Sequence, residues 1–277
     1  MNATGRLTYY MAAWDLVRPR LLAQTMTSTL YTVTLGAETA VLKLLAATET
    51  EEQRGALALR HFDGRGAVHL LRHDDGAQLL EYAAGPELVT LVEQGEDARA
   101  TQIIAQVIEQ LHSVPQPVLP AGLVSLDRWF GALFARAETE RRAGTGSIYT
   151  RGAAVAARLL ANPQDIRVLH GDIHHYNIRQ SSRGWLAFDP KGLVGERTYD
   201  CANALCNPVM PELVHNERRL LAHAAILADA LDLDLGRVLA FTYAYACLNA
   251  SWWLDLGGPD IVQWSLGVAA IVEPHLG

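Results

Sequence analysis

A chain of 277 residues, half of them hydrophobic, can bury a substantial core and suits one large domain or two lobes. Thirty acidic against 23 basic residues give a formal net charge of −7, which disfavours nucleic acid as a partner and fits plain solubility or a cationic small molecule. Cys201, Cys206 and Cys247 are odd in number and lack CxxC spacing, so neither a disulfide framework nor a zinc site is indicated; buried reduced thiols are expected, as suits the cytosol.

In chain order, the opening MNATGRLTYYMAAWDLVRPR mixes polar and apolar residues and carries no apolar signal core, so a cytoplasmic location is expected. Residues 30–35 (LYTVTL) and 39–45 (TAVLKLL) are β-rich runs joined by GAE, which predicts a hairpin. A helix is predicted over 49–62. AVHLLRH at 67–73 and AQLLEYA at 77–83 then form a second hairpin around a DDG turn, before Gly85 and Pro86 break the pattern. Beyond them, Ile103, Ile104, Val107, Ile108 and Leu111 share one face of a helix that ends before PQPVLP. Further helices are expected at 125–143, 150–161, 212–231, 235–256 and 261–273, with short strands only within 168–190.

The longest apolar run, LAFTYAYACLNASWWL at 239–254, is interrupted by Thr242, Asn249 and Ser251. It is shorter than the ~20 residues a bilayer span needs, so it predicts a buried helix and no membrane association. The expected fold is α+β and bilobal. A small antiparallel-β N-lobe with one helix occupies 1–81, a hinge 82–86, and a larger, mainly helical C-lobe 87–277.

The stretch VLHGDIHHYNIRQSSRGWLAFDP at 168–190 gathers oxygen ligands that make poor core residues unless something binds them. SSRG is a turn signal between two short apolar runs, so a hairpin there lays Asp189 beside Asn177. Two oxygens at the open end of a hairpin suit Mg²⁺, which takes one or two protein ligands and leaves its other positions to water and phosphate. Asp172 stands just upstream on a separate turn. His170 and His174 are four apart, a zinc spacing on a helix, but Gly171 and the following strand argue against a helix here.

HGDxxxxN followed by an Asp twelve residues on resembles the catalytic loop and metal-binding strand of the protein-kinase-like aminoglycoside phosphotransferases. More narrowly, HGDIHHYN, FDPKGLVGERTYD and YAYACLNASWW resemble the aminoglycoside/hydroxyurea antibiotic resistance kinases, over about residues 23–255. The resemblance implies that Asp172 orients the acceptor hydroxyl and takes its proton, and that Asn177 and Asp189 hold Mg²⁺. It further implies that Lys43 holds the nucleotide's phosphates, fixed by Glu52 or its neighbour Glu51, and that the backbone near Glu81 and Ala83 pairs with adenine. No GxGxxG loop is present. Thr27, Ser28 and Thr29 are expected to cradle phosphate with hydroxyls and amides, and the choice between ATP and GTP stays open.

DPK stands where protein kinases carry DFG, and Asp200 follows only eleven positions after Asp189, which leaves no room for a peptide-docking loop. The implied acceptor is a cationic aminoglycoside, streptomycin at its 6-hydroxyl first and hydroxyurea second, with resistance as the outcome and a monomer as the working state. Its guanidinium groups would need C-lobe carboxylates, for which Glu196 and Asp255 are the leading candidates, ahead of Asp260 and Glu273. Trp252 and Trp253 are adjacent and about 100° apart on a helix, so at most one is expected to line the cleft while the other packs in the core, and Trp252 is the candidate. Asp200 either caps the next helix or braces the catalytic turn. GDIHH also resembles the GDxH ligands of metallophosphoesterases, but that fold needs a later GNH[DE], which VHNE at 214–217 does not supply.

Overall fold

The computed structural model describes residues 3–25, 27–46, 50–115, 119–144 and 146–277. The N-lobe comprises α1 (Ala3–Ala13), β1 (Leu16–Gln24), β2 (Ser28–Leu35), β3 (Glu38–Leu45), α2 (Thr50–Phe62), β4 (Leu70–Asp74) and β5 (Ala77–Glu81). Its five strands form an antiparallel sheet in the order β1-β2-β3-β5-β4. Leu35 pairs with Glu38 across a two-residue turn, and Gly36 supplies the positive φ of 60° that this tight connection needs.

Two elements here depart from the sequence expectation. The exposed edge strand β1 contains Pro19, a residue tolerated at a sheet edge because no partner there asks for its missing N–H. Helix α1 covers the outer face of the sheet, where Leu7, Tyr10, Met11 and Trp14 pack on Val33, Leu42, Leu44 and Leu79. It is also pinned by polar contacts: Tyr10 donates to Asp74 Oδ1 at 2.6 Å and Arg6 to Gly76 O at 2.6 Å, both at the β4–β5 turn.

The C-lobe opens with α3 (Val89–Glu93) and α4 (Asp97–His112), followed by β6 (Val124–Ser125), α5 (Leu126–Trp129), α6 (Gly131–Arg142) and α7 (Ile148–Ala161). Next come β7 (Ile166–Leu169), β8 (Ile178–Ser181), β9 (Gly184–Ala187) and β10 (Leu193–Glu196). A 3-10 turn, Arg197–Cys201, leads into α8 (Ala202–Leu205), α9 (Pro211–Val214), α10 (Glu217–Leu231), α11 (Leu235–Leu256) and α12 (Pro259–Val272). Strands therefore extend beyond 168–190, since β10 pairs antiparallel with β7 and parallel with β6.

Helix α11 is the C-lobe's central element and is buried along most of its length. Its buried hydroxyls do not break it, because Thr242 and Ser251 donate to the carbonyls of Val238 and Cys247 one turn back, each at 2.8 Å. All three cysteines are free and buried, as expected. Among the described residues no helix is long and apolar enough to cross a membrane. The α+β, two-lobed arrangement follows the sequence expectation.

What joins the lobes is the β8–β9 hairpin. The connector after β5 lies along β8, with Gly85 N donating to Gln180 O at 2.9 Å and Gln180 N to Pro86 O at 3.0 Å. A Cβ at Gly85 would sit 2.6 Å from Gln180 O, so the close approach requires glycine. On the other side, Val68 N donates to Ala187 O and Ala187 N to Gly66 O. At the hairpin tip, Arg183 reaches the N-lobe carbonyls of Gly64 (2.8 Å) and Ala67 (3.2 Å) and forms a two-pronged ion pair with Glu81.

Candidate active site

Strand β7 runs into the turn His170-Gly171-Asp172, and buried Asp200 holds that turn from behind. Its two oxygens accept the backbone N–H groups of His170 (3.1 Å) and Gly171 (2.7 Å), and His112 Nε2 lies 2.9 Å from Oδ2. Of the two roles open to Asp200, bracing the His170-Gly171-Asp172 turn is the one observed. Gly171 has φ of +81°, and His170 completes the brace, with Nε2 3.1 Å from Phe188 O.

The Asp172 carboxylate is set by two amides. Asn203 Nδ2 donates to Oδ1 at 2.7 Å and Asn177 Nδ2 to Oδ2 at 3.1 Å. Asn203 is itself oriented, because Asn207 donates to its side-chain oxygen at 2.9 Å and so turns the Asn203 amino group toward Asp172. Neither Asn203 nor Asn207 was foreseen from sequence. Lys191 Nζ stands 3.6 Å from Oδ2, and His174 Nε2 3.7 Å from Oδ1.

Because Asn177 gives its amino group to Asp172, its amide oxygen faces away from that carboxylate. Phe188 N donates to Asn177 O at 3.0 Å, so β8 and β9 bring Asn177 and Asp189 together at the open end of their hairpin. An amide oxygen and a carboxylate form a hard donor set, and no cluster of three His, Cys, Asp or Glu side chains suited to a metal exists among the described residues. The pair fits a cation such as Mg²⁺ that keeps most of its shell for water and phosphate. Asp189 sits at φ of +64°, with Lys43 Nζ 2.5 Å from its Oδ1. Burial alone would push the Asp189 carboxyl up, but the ammonium groups of Lys43 and Lys191 outweigh it and hold the value below the usual carboxylate range.

The nucleotide-side residues are placed as follows. Lys43 is buried on β3, and the side chains of Glu51 and Glu52 on α2 lie outside the described residues. An apolar slot of about 80 Å³ between the lobes is lined by Leu22, Leu30, Val41, Leu80, Ala83 and Phe188, with Glu81 at its edge. Glu81 N donates to His69 O at 2.9 Å, and its side chain is occupied by Arg183.

At the β1–β2 turn the expected phosphate cradle is corrected in part. The amides of Thr27 (3.3 Å) and Ser28 (3.0 Å) turn inward onto Thr25 Oγ1, Ser28 is buried, and Thr29 is engaged in the β1–β2 and β2–β3 ladders. The Thr25 hydroxyl is the hub of this turn, also donating to Ser28 O at 3.2 Å and lying 3.1 Å from the Ser28 hydroxyl.

Asp172 opens onto a cleft of about 790 Å³ lined mainly by the C-lobe, with Arg54 of α2 at its N-lobe side. Its walls are aromatic: Trp129, Tyr245, Trp252 and Trp253 all line it, with Trp129 and Trp252 edge to face at 5.0 Å. The expectation that at most one of this pair lines the cleft is overturned, because both indoles line it.

Asp255 lines the cleft; Glu196 does not. Glu196 is buried in β10, paired with Arg237 through two contacts, and accepts Gln164 N at 3.0 Å. It is a structural ion pair and is corrected as a substrate residue. Glu273 is likewise occupied, by Arg151 at 2.5 Å and the Tyr243 hydroxyl at 2.6 Å. Arg54, Arg128 and Lys191 also line the cleft.

Behind the catalytic loop lies a buried charged cluster in which Asp97 accepts two bonds from Arg219 (2.6 and 2.9 Å). His175 is buried near this pair, neither of its ring nitrogens has a hydrogen-bond partner among the described residues, and burial pushes its value down to about 3. An unfolded imidazole keeps its ordinary value near 6.5, so between those limits the unfolded chain binds a proton that the folded chain refuses. Stability from this group is complete above about pH 6.5 and falls on acidification by about 1.4 kcal/mol per pH unit. His170 and His174 are shifted the same way by burial and steepen the slope. Urea titrations at pH 7.5 and pH 5 are expected to show the loss, and His175→Gln to flatten it by up to one proton. An unchanged slope in the variant would remove His175 from the account.

This lobe arrangement, with a braced acid turn beside an oxygen pair and a buried lysine, defines a kinase-like phosphotransferase. The aminoglycoside/hydroxyurea antibiotic resistance kinase model matches residues 13–257, and the chain belongs to that family. It is 34% identical over 253 residues to a streptomycin 3''-kinase of Klebsiella pneumoniae, covering 89% of this chain and 92% of that one. Identity is 33% over 250 residues to a streptomycin 6-kinase of Streptomyces griseus, covering 85% and 78% respectively. The fold is shared with an aminoglycoside phosphotransferase, APH(4)-Ia, crystallised with AMP-PNP and hygromycin B, at a TM-score of 0.66, 14% identity and 98% coverage of each chain.

Proposed function

We propose that the protein is a cytoplasmic, Mg²⁺-dependent kinase that transfers the γ-phosphoryl group of ATP to a hydroxyl of streptomycin, and so confers resistance to it. The observation that carries this reading is the placement of Asp172, fixed by Asn177 and Asn203, at the floor of a large aromatic cleft. Asp172 orients the acceptor hydroxyl and receives its proton as the new bond to phosphorus forms. Lys43 pairs with the phosphates from the N-lobe side, and the apolar slot takes adenine. Asn177 and Asp189 would hold Mg²⁺, which when bound neutralises charge on the phosphoryl oxygens.

Trp129, Trp252 and Trp253 offer ring faces to sugars and to guanidinium groups, which aromatic faces attract. Asp255 supplies a carboxylate for one guanidinium. Asp255→Asn is therefore expected to raise KM for streptomycin roughly 5- to 10-fold, at the low end for a charge-assisted bond because the residue is exposed. The KM for ATP and kcat should be little changed, the pattern of lost ground-state binding. An unaltered streptomycin KM would take Asp255 out of the acceptor site.

One observation favours the second reading, an uncharged acceptor such as hydroxyurea: among the described residues three cationic side chains line the cleft, and Asp255 is its one carboxylate besides Asp172. The volume of the cleft weighs the other way, toward a ligand of several rings. The deciding experiment is ATP consumption by the purified protein against a panel of aminoglycosides and hydroxyurea, followed by NMR of the product to separate the 6- from the 3''-position of streptomycin. Turnover with hydroxyurea and none with streptomycin would overturn the aminoglycoside assignment.

A further inference from the structure

We propose that Lys191 is a catalytic residue of the transfer itself, its ammonium stabilising charge on the phosphoryl group as that group passes from nucleotide to acceptor. The proposal rests on the phosphotransfer reading above and concerns the same site. Lys191 Nζ lies 3.6 Å from Asp172 Oδ2 and lines the acceptor cleft, while its backbone follows Asp189, the carboxylate on the nucleotide side, by two residues. The ammonium thus meets the acceptor-side carboxylate from the segment that carries the nucleotide-side one. Lys43 contacts Asp189 directly from the N-lobe, so the two lysines serve opposite ends of the route between the carboxylates.

The backbone that carries Lys191 is fixed. Its N–H donates to His170 O at 2.7 Å, which ties it to the catalytic turn. The next residue, Gly192, has φ of +67°, and a Cβ there would lie 2.3 Å from the carbonyl oxygen of Arg54 on α2. At 3.6 Å from Asp172 the ammonium is an ion-pair partner and not a hydrogen-bond donor, and two amides already set the geometry of that carboxylate. A cation placed to meet charge that arrives with the substrate is the form of preorganisation that favours a transition state.

In the step, an acceptor oxygen lone pair forms the bond to the γ-phosphorus. The bond from that phosphorus to the β–γ bridging oxygen breaks with its electron pair going to ADP, and the hydroxyl proton passes to Asp172. Lys191 exchanges no proton and leaves unchanged.

The test compares wild type with Lys191→Met, which keeps length and loses charge, using streptomycin as acceptor. The variant is expected to lose on the order of 100-fold or more in kcat, the range seen when one preorganised transition-state partner is removed. Both KM values should stay within about threefold. Affinity for ADP alone should be retained while affinity for ADP with Mg²⁺ and aluminium fluoride, which imitates the phosphoryl group in transfer, falls at least about 50-fold.

A second variant guards against a folding defect. Lys191→Cys, inactive alone, should recover when alkylated with 2-bromoethylamine, which rebuilds the ammonium; Cys201, Cys206 and Cys247 are buried, and treated wild type is the control. A Lys191→Met kcat within threefold of wild type, equal losses of ADP and its aluminium fluoride complex, or no recovery on alkylation would each overturn the proposal while active wild type left the kinase reading in place. Wild type that transfers phosphate to no hydroxyl acceptor would overturn both.

Discussion

Replacing Asp172 with alanine is expected to lower kcat by about 10²- to 10⁴-fold, the contribution of a positioned general base, while nucleotide affinity stays within about twofold. The carboxylate faces the acceptor cleft, and it meets Asn177 only through that amide's amino group, so its loss removes an interaction made as the proton leaves the hydroxyl. Folding should survive. The Asn177 and Asn203 amino groups that Asp172 leaves behind would meet water entering from the cleft that residue 172 lines, and Asn203 remains oriented by Asn207. Isothermal titration with a non-hydrolysable nucleotide and steady-state kinetics with streptomycin check both halves. Near-normal kcat would remove Asp172 from catalysis; a collapse of nucleotide affinity would show that its role is structural.

The grouping of the candidate site residues was legible because it is local. Asp172, Asn177 and Asp189 fall within 18 residues, and the SSRG turn alone suffices to bring the last two together. Glu196 was misplaced because its partner, Arg237, is 41 residues away on α11, and nothing in GERTYD announces a buried bidentate pair. Asn203 and Asn207 escaped notice for the same reason, since YDCANALCN reads as a helix start and its contact with Asp172 is tertiary.

Other misses carried a signal. Leu7, Tyr10, Met11 and Trp14 are spaced at three, four and seven, the interval of a helix face, and predict α1 once the polar residues between them are read as its outer side. Strand β1 was hidden by Pro19, which argues against a central strand but not against an edge. Arg183 was read only as a turn residue, although a long cation at a hairpin tip has the reach to clamp a second lobe.

Asp189→Asn is expected to leave the fold intact and to cost roughly 10³-fold in kcat/KM, equivalent to about 4 kcal/mol of charge stabilisation. Asparagine is the chosen replacement because residue 189 has φ of +64°, which Asn tolerates and alanine resists. The variant keeps an oxygen where the cation would sit but removes the negative charge, so the Mg²⁺ concentration giving half-maximal activity should rise sharply. Lys43 loses its charged partner at 2.5 Å, which should also weaken nucleotide binding when Mg²⁺ is present.

The pH dependence of stability gives a second check with a definite sign. The Asp189 carboxyl is held below its ordinary value, so its contribution is present above the unfolded value and lost as pH falls through the folded one. Asp189→Asn should therefore narrow the difference between wild type and variant in acid, below about pH 4, and leave it widest near neutrality. Unchanged Mg²⁺ dependence with full activity would remove Asp189 from the metal site, whatever the stability curves show.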